Sequence, residues 1–133
     1  MADDDAVQKI NQAVSTAETF SELFYKKIDQ ERHSIDKMYH ENASLSWNGN
    51  SIEGVSDIQK FILEKLPKSS HYLQSLDAQP VHDSAVAGQT TVLVNVAGTV
   101  KYGTNQPSNF QQNFLLTAKD AKWKVVTDTF RSQ

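Results

Sequence analysis

The sequence predicts an α+β fold, with helices packed on one face of a sheet. Apolar residues in the first half recur at helical spacing, whereas from His71 onward the period drops to two. The chain has 133 residues, which is one ordinary domain spanning 1–133. A chain of that size buries roughly two-thirds of its unfolded surface. No repeat, low-complexity tract or linker divides it.

Val7, Ile10, Val14, Ala17, Phe24 and Ile28 recur at steps of three, four or seven. They form one apolar stripe on a helix of roughly six turns. Asp3, Asp4 and Asp5 precede it, where a helix N-terminus favours negative charge. A second, shorter helix is expected after Asp29, with Arg32, Ile35, Met38 and Tyr39 on one side and Glu41-Asn42 ending it. Residues 43–47 alternate as a strand does, Asn48-Gly49 is a strong two-residue hairpin signal, and Ile52 begins a short return strand. Ser56 and Gln59 match a capping box. Ile58, Phe61, Ile62, Lys65 and Leu66 then mark a third helix, stopped by Pro67. Four strands follow at 71–81, 89–102, 109–119 and 122–131. Turn chemistry joins them: Pro80 to Asp83, Gly103 to Pro107, and Asp120-Ala121.

Splitting these strands by parity separates two faces. Val92, Val94, Val96, Phe110, Phe114, Leu116, Val126 and Phe130 are apolar and belong under the helices. The opposite set holds Thr91, Leu93, Asn95, Ala97, Gln111, Asn113, Leu115, Val125, Thr127, Thr129 and Arg131, with Trp123 on the same parity. Leu, Thr and Asn mixed with one Arg, and almost no Lys or Glu, have the composition of a protein–protein interface. A solvent-facing sheet rich in threonine is the alternative, because threonine favours strands.

Composition excludes several functions. The chain carries 13 Lys+Arg against 16 Asp+Glu, a net charge of −3, with only Arg32 and Arg131 as arginines. That argues against a polyphosphate partner, which needs clustered cations. A hydrophobic content of 38% is too high for a disordered chain. Zero cysteines exclude disulfides, thiolate zinc sites and a cysteine nucleophile. The longest apolar stretch, 91–98, is too short to cross a bilayer, and the acidic start is unlike a secretory leader. A small, soluble, intracellular domain is the expectation.

Candidate chemistry is sparse. His33 and His40 would share a helical face, but seven residues rise about 10.5 Å, too far for one metal. His82-Asp83 resembles a dyad, yet neighbouring strand residues point to opposite faces, so a turn role is favoured. Asp128 falls on the core-facing parity between Val126 and Phe130. An unpaired carboxylate there is costly, so it either meets a buried donor or lines a watery cavity as a base. Asp77 is a second acid for the same space. No nucleophile spacing, phosphate loop or metal motif accompanies them.

Several short motifs stand in a specific order. They are Leu45-Ser46-Trp47-Asn48-Gly49, Gln79-Pro80-Val81-His82-Asp83, Gln89 to Val94, Gln112-Asn113-Phe114-Leu115-Leu116, Trp123-Lys124-Val125-Val126 and Asp128-Thr129-Phe130-Arg131. From about Val7 to Arg131 the chain resembles the nuclear transport factor 2 family, and within it the export branch. The resemblance implies a cone, a curved antiparallel sheet wrapped around three helices, whose outer face is a dimerisation face. The family also holds a homodimeric importer of the GTPase Ran in its GDP form, and enzymes such as ketosteroid isomerase and scytalone dehydratase. Fold alone does not choose among them.

Departures help to choose. The Ran importer has a glutamate after the hairpin tryptophan, where this chain has Asn48, and acidic residues in the loop that here runs from Lys101 to Pro107. Its homodimer face carries methionines at positions matching Asn95, Asn113 and Thr129. In the export branch, an arginine at the position of Arg131 pairs with an aspartate of a larger subunit. The resemblance therefore implies a non-enzymatic adaptor without catalytic residue, cofactor or metal. It would form a heterodimer with the similar domain of a large TAP-type mRNA export receptor. Leu93, Asn95, Gln111, Asn113, Leu115, Val125, Thr127, Thr129 and Arg131 would be the partner-binding residues. Through that pair it would meet phenylalanine-glycine nucleoporins, with no direct nucleic-acid or membrane contact, shuttling between nucleus and cytoplasm and enriched at the pore. The alternatives are Ran–GDP import as a homodimer, or a cavity isomerase or dehydratase with Asp128 or Asp77 as base.

Overall fold

The computed structural model describes residues 2–81, 91–119 and 122–132. Helix α1 (Ala2–Gln30) leads into a 3-10 helix (Arg32–Met38), the hairpin β1 (Tyr39–Trp47) and β2 (Asn50–Glu53), and helix α2 (Val55–Lys65). Four long strands complete the chain: β3 (Ser69–Val81), β4 (Thr91–Tyr102), β5 (Ser108–Lys119) and β6 (Lys122–Ser132). The six strands among the described residues form one sheet in the order β2-β1-β6-β5-β4-β3, with the helices on one side. No helix among the described residues is long and apolar enough to cross a membrane.

The sheet is mixed rather than wholly antiparallel, because β1 runs parallel to β6. The meander fixes the direction of β6, while the helix layer delivers β1, so the two meet in the same sense. At the hairpin, Asn48 and Gly49 both take positive φ, 47° and 90°, as a type I′ turn requires. Trp47 then pairs with Asn50 and its ring stacks on Phe130 at 3.8 Å.

The helical spacing holds in outline but shifts in detail. On α1 the buried apolar residues are Ala13, Ala17, Phe20, Phe24, Tyr25 and Ile28, with Ser21 buried beside them, whereas Val7, Ile10 and Val14 remain exposed. The second helix is shorter than expected. Tyr39 adopts extended backbone (φ −108°, ψ 142°) and starts β1, so Glu41-Asn42 lies inside a strand. Burial of the Tyr39 ring and a bond from its hydroxyl to Asp128 outweigh local helix propensity there. The expected capping box does not form. Gly54 is the N-cap, and Gln59 Nε2 instead donates to His33 O at 3.0 Å. Arg32 ties the helices together: Nε donates to Ile28 O at 2.7 Å and Nη1 to Leu66 O at 2.6 Å. A cation placed on carbonyls at two helix ends also opposes both dipoles.

Apart from Thr91 at the start of β4, the parity reading holds on β4 and β5. Val92, Val94, Val96, Phe110, Phe114 and Leu116 are buried, with rings of Phe20 and Phe24 packed 5.0 and 4.8 Å from Phe114. On β6 it fails upstream of Asp128. Leu115 pairs with Thr127 but Leu116 pairs with Val125, so Val126 is an extra, bulged residue. Val125 is therefore fully buried and Val126 is not, the reverse of expectation. Trp123 shares the inward parity of Val125 and packs against the core. A second bulge lies between Leu73 and Ser75 on β3. Gly98 opposite it admits no side chain: a Cβ there would stand 2.1 Å from Tyr72 O.

Candidate partner interface on the outer sheet face

Strand register arranges the outer face into cross-strand rows. One row reads Ser75, Ala97, Gln111, Arg131; the next reads Asp77, Asn95, Asn113, Thr129; the third reads Gln79, Leu93, Leu115, Thr127. Gln111, Asn113, Thr127 and Arg131 are exposed, while Leu93, Asn95, Leu115 and Thr129 are half-buried. Eight of the nine residues expected to bind a partner thus stand together on this face. Val125 is the ninth, and the β6 bulge removes it to the core. Thr91, also assigned outward by parity, is buried as well.

These rows hold one acid, Asp77, and one base, Arg131. Contrary to the expectation from sequence, Asp77 does not enter the space beside Asp128. It is exposed, in register with Asn95, and lines a shallow depression of about 290 Å³ with Ser75, Asn95 and Asn113. Arg131 makes no ion pair among the described residues. Tyr72, 69% exposed and paired with Thr99, extends the face. Tyrosine and arginine are the residue types that anchor interfaces, because each combines a large contact area with polar donors. Sequence reasoning missed Tyr72, Ser75 and Asp77. Their strand was identified, but only pairing with β4 reveals which of its residues share the face of Arg131.

The inner face holds a closed polar network. Tyr39 Oη donates to Asp128 Oδ2 at 2.6 Å, and Gln112 Nε2 donates to Asp128 Oδ1 at 2.8 Å. Tyr25 Oη in turn donates to Gln112 Oε1 at 2.6 Å. All four residues are buried. Burial pushes the Asp128 carboxyl up to about 6, with the two donated bonds restraining the rise. The same burial, with Asp128 as the main charged neighbour, raises the hydroxyls of Tyr25 and Tyr39 well above the usual tyrosine range. Asp128 therefore follows the first of its two expected roles, meeting buried donors. Each carboxylate oxygen already accepts a bond, a geometry suited to fixing the core. Gln112 was legible as core-facing from its place between Phe110 and Phe114. Its partners were not, since Tyr25 lies 87 positions away.

A second carboxylate, Asp29, accepts from Ser69 Oγ and from His71 N, and meets His71 Nδ1 at 2.7 Å. Burial raises the Asp29 carboxyl, but the bonds from His71 and Ser69 outweigh it and hold it below the usual carboxylate range. This cluster joins the end of α1 to the start of β3.

His33 and His40 do not share a helical face. His33 is exposed on the 3-10 helix, and His40 lies in β1, its Nδ1 accepting from Asn42 N at 3.1 Å. Among the described residues no group of three His, Asp or Glu is placed to hold a metal. His82-Asp83 and the Asp120-Ala121 turn lie outside the described residues.

Comparison with known proteins agrees with this architecture. The chain is 40% identical over its whole length, and over 97% of the relative, to NTF2-related export protein 1 of Bos taurus. The fold is similar to nuclear transport factor 2 from Cryptosporidium parvum, with a TM-score of 0.79 at 20% identity over 94% of this chain and 95% of the other. It is similar also to a chain of the C. albicans Mtr2–Mex67 M domain complex, with a TM-score of 0.73 at 15% identity over 92% and 96%. Residues 16–132 match the nuclear transport factor 2 (NTF2) domain, and the chain belongs to that family.

Proposed function

We propose that the chain is a non-enzymatic adaptor of nucleocytoplasmic transport, and that its outer sheet face pairs with the similar domain of a large TAP-type mRNA export receptor. The observation that carries this reading is the outer face itself. Half-buried Leu93 and Leu115 stand among Thr and Asn side chains, with Arg131 exposed and unpaired among the described residues. Such a face leaves apolar area and hydrogen-bonding groups open to a partner of matching pattern. The similarity to a relative named as an export protein, and to a chain of the Mtr2–Mex67 M domain complex, supports the same reading.

In this mechanism the two sheet faces cover each other's apolar surface, and Arg131 selects the partner by binding a carboxylate bidentately. Polar Asn95, Asn113 and Thr129 favour a hydrogen-bonding partner over a symmetric apolar contact. The pair then meets phenylalanine-glycine nucleoporins and shuttles between nucleus and cytoplasm, concentrated at the pore. RNA contact falls to the larger subunit, in keeping with a net charge of −3 here. The non-enzymatic reading is supported by the acids: Asp128 is enclosed by its donors, and Asp77 is on the outer face.

The test is affinity capture from nuclear extract with the tagged chain, wild type beside Arg131→Glu, with bound proteins identified by mass spectrometry. Recovery of a large export receptor by wild type and its loss with the variant is expected. Capture of Ran without that receptor would move the chain to the import branch. Equal receptor capture by both forms would show that Arg131 is not the anchor.

A further inference from the structure

A groove of about 520 Å³ runs between α1, the 3-10 helix and the start of β6. Its floor is apolar, built from Phe20, Leu23, Met38 and Trp123. Leu23 remains 44% exposed there, so the apolar surface is unfinished. Lys27, Lys37, Lys122 and Lys124 line the same groove, and among the described residues no aspartate or glutamate does. In a chain with 16 acids against 13 bases, that segregation of charge is against composition. None of the lining residues belongs to the outer-face rows.

We propose that this groove docks a short acidic peptide segment carrying one bulky apolar side chain. The apolar floor takes the anchor, and the lysines meet carboxylates on either side of it. Charge complementarity chooses the occupant. Lysines on α1, on the 3-10 helix and on β6 outnumber what one headgroup pairs with, but suit carboxylates spaced along a backbone. The groove is open to solvent rather than enclosed, which suits a peptide laid across it better than a small ligand that must bury most of its surface. The proposal does not depend on the sheet-face partner.

The probe is a fluorescein-labelled peptide with a central leucine flanked by glutamates, beside the same peptide with glutamines, titrated with the full chain by fluorescence anisotropy. Saturable binding of the glutamate peptide is expected, weakening as salt is raised, since Lys37 and Lys122 are exposed and screened by salt. Lys37→Glu with Lys122→Glu should weaken it about tenfold or more, because two attractive contacts become repulsive. Leu23→Glu should abolish it, and Arg131→Glu should leave it unchanged, with circular dichroism melts verifying that each variant folds. Equal affinity for the glutamine peptide, an unchanged lysine double variant, or no saturation by the glutamate peptide would each overturn the proposal. So would saturable binding of dodecanoate without binding of the peptide, which would reassign the groove to a small amphipathic acid.

Discussion

The two faces of the sheet carry polar side chains from the same strands, one residue apart, with opposite fates. Gln112 and Asp128 face inward, where with Tyr25 and Tyr39 they close a network of three bonds between 2.6 and 2.8 Å. Asn113 and Thr129 face outward and stand in a row with Asn95 and Asp77 on which no other described element packs. The comparison teaches what burial demands. A polar group in the core must have its partner within the chain, because leaving it unpaired costs about 1–3 kcal/mol or more. On the outer face water serves until another protein arrives, so the same residue types become available for recognition.

The largest expected effect breaks the inner network. Asp128→Ala strands the Tyr39 hydroxyl and the Gln112 amide in the core and opens a cavity, and it should destabilise the chain by about 3–4 kcal/mol in urea unfolding. Asp128→Asn sharpens the point through pH. The folded carboxyl titrates at about 6, above the ordinary 3.8, so the native state holds the extra proton between those values. The stability this acid contributes is complete below 3.8 and declines as pH rises to about 6, where the cost of burying its charge is fully felt. Relative to wild type, the asparagine variant should therefore gain stability across that window, by roughly 3 kcal/mol, and then level off. Its amide can be accommodated if Gln112 turns over and Tyr25 accepts instead of donating. Asp29 acts in the opposite sense, since its lowered pKa removes stability as pH falls below the ordinary carboxylate range. A variant-minus-wild-type difference cancels that common slope.

Outside, the effects should move from stability to binding. Arg131→Glu should weaken receptor binding by at least about 2 kcal/mol, near thirtyfold by isothermal titration, while the melting temperature of the free chain stays within a few degrees. A large fall in free-chain stability would mean that Arg131 serves the fold. Asn113→Ala should be smallest, below about 0.5 kcal/mol in unfolding, because it is an exposed surface position. A loss as large as that of Asp128→Ala would erase the distinction between the faces.

Much of this was written locally. The Asn48-Gly49 turn needs two residues tolerant of positive φ, and the sequence placed them between alternating strands. On β4 and β5 alternation alone divided core from outer face, as the burial of Val92, Val94, Val96, Phe110 and Phe114 shows. Tertiary structure decided the rest. The bulge at Val126 reverses inward and outward for Val125 and Trp123, and a single extra residue leaves no mark on composition or period. Tyr39 reads as helix locally, but becomes strand where it reaches Asp128, 89 positions away. The parallel pairing of β1 with β6 and the alignment of Asp77 with Asn95 are likewise long-range choices. Local backbone preference and hydrophobic period act between near neighbours, and so are legible in order along the chain. Register, bulges and buried polar partners are settled only when distant segments compete for the same space and the same hydrogen bonds.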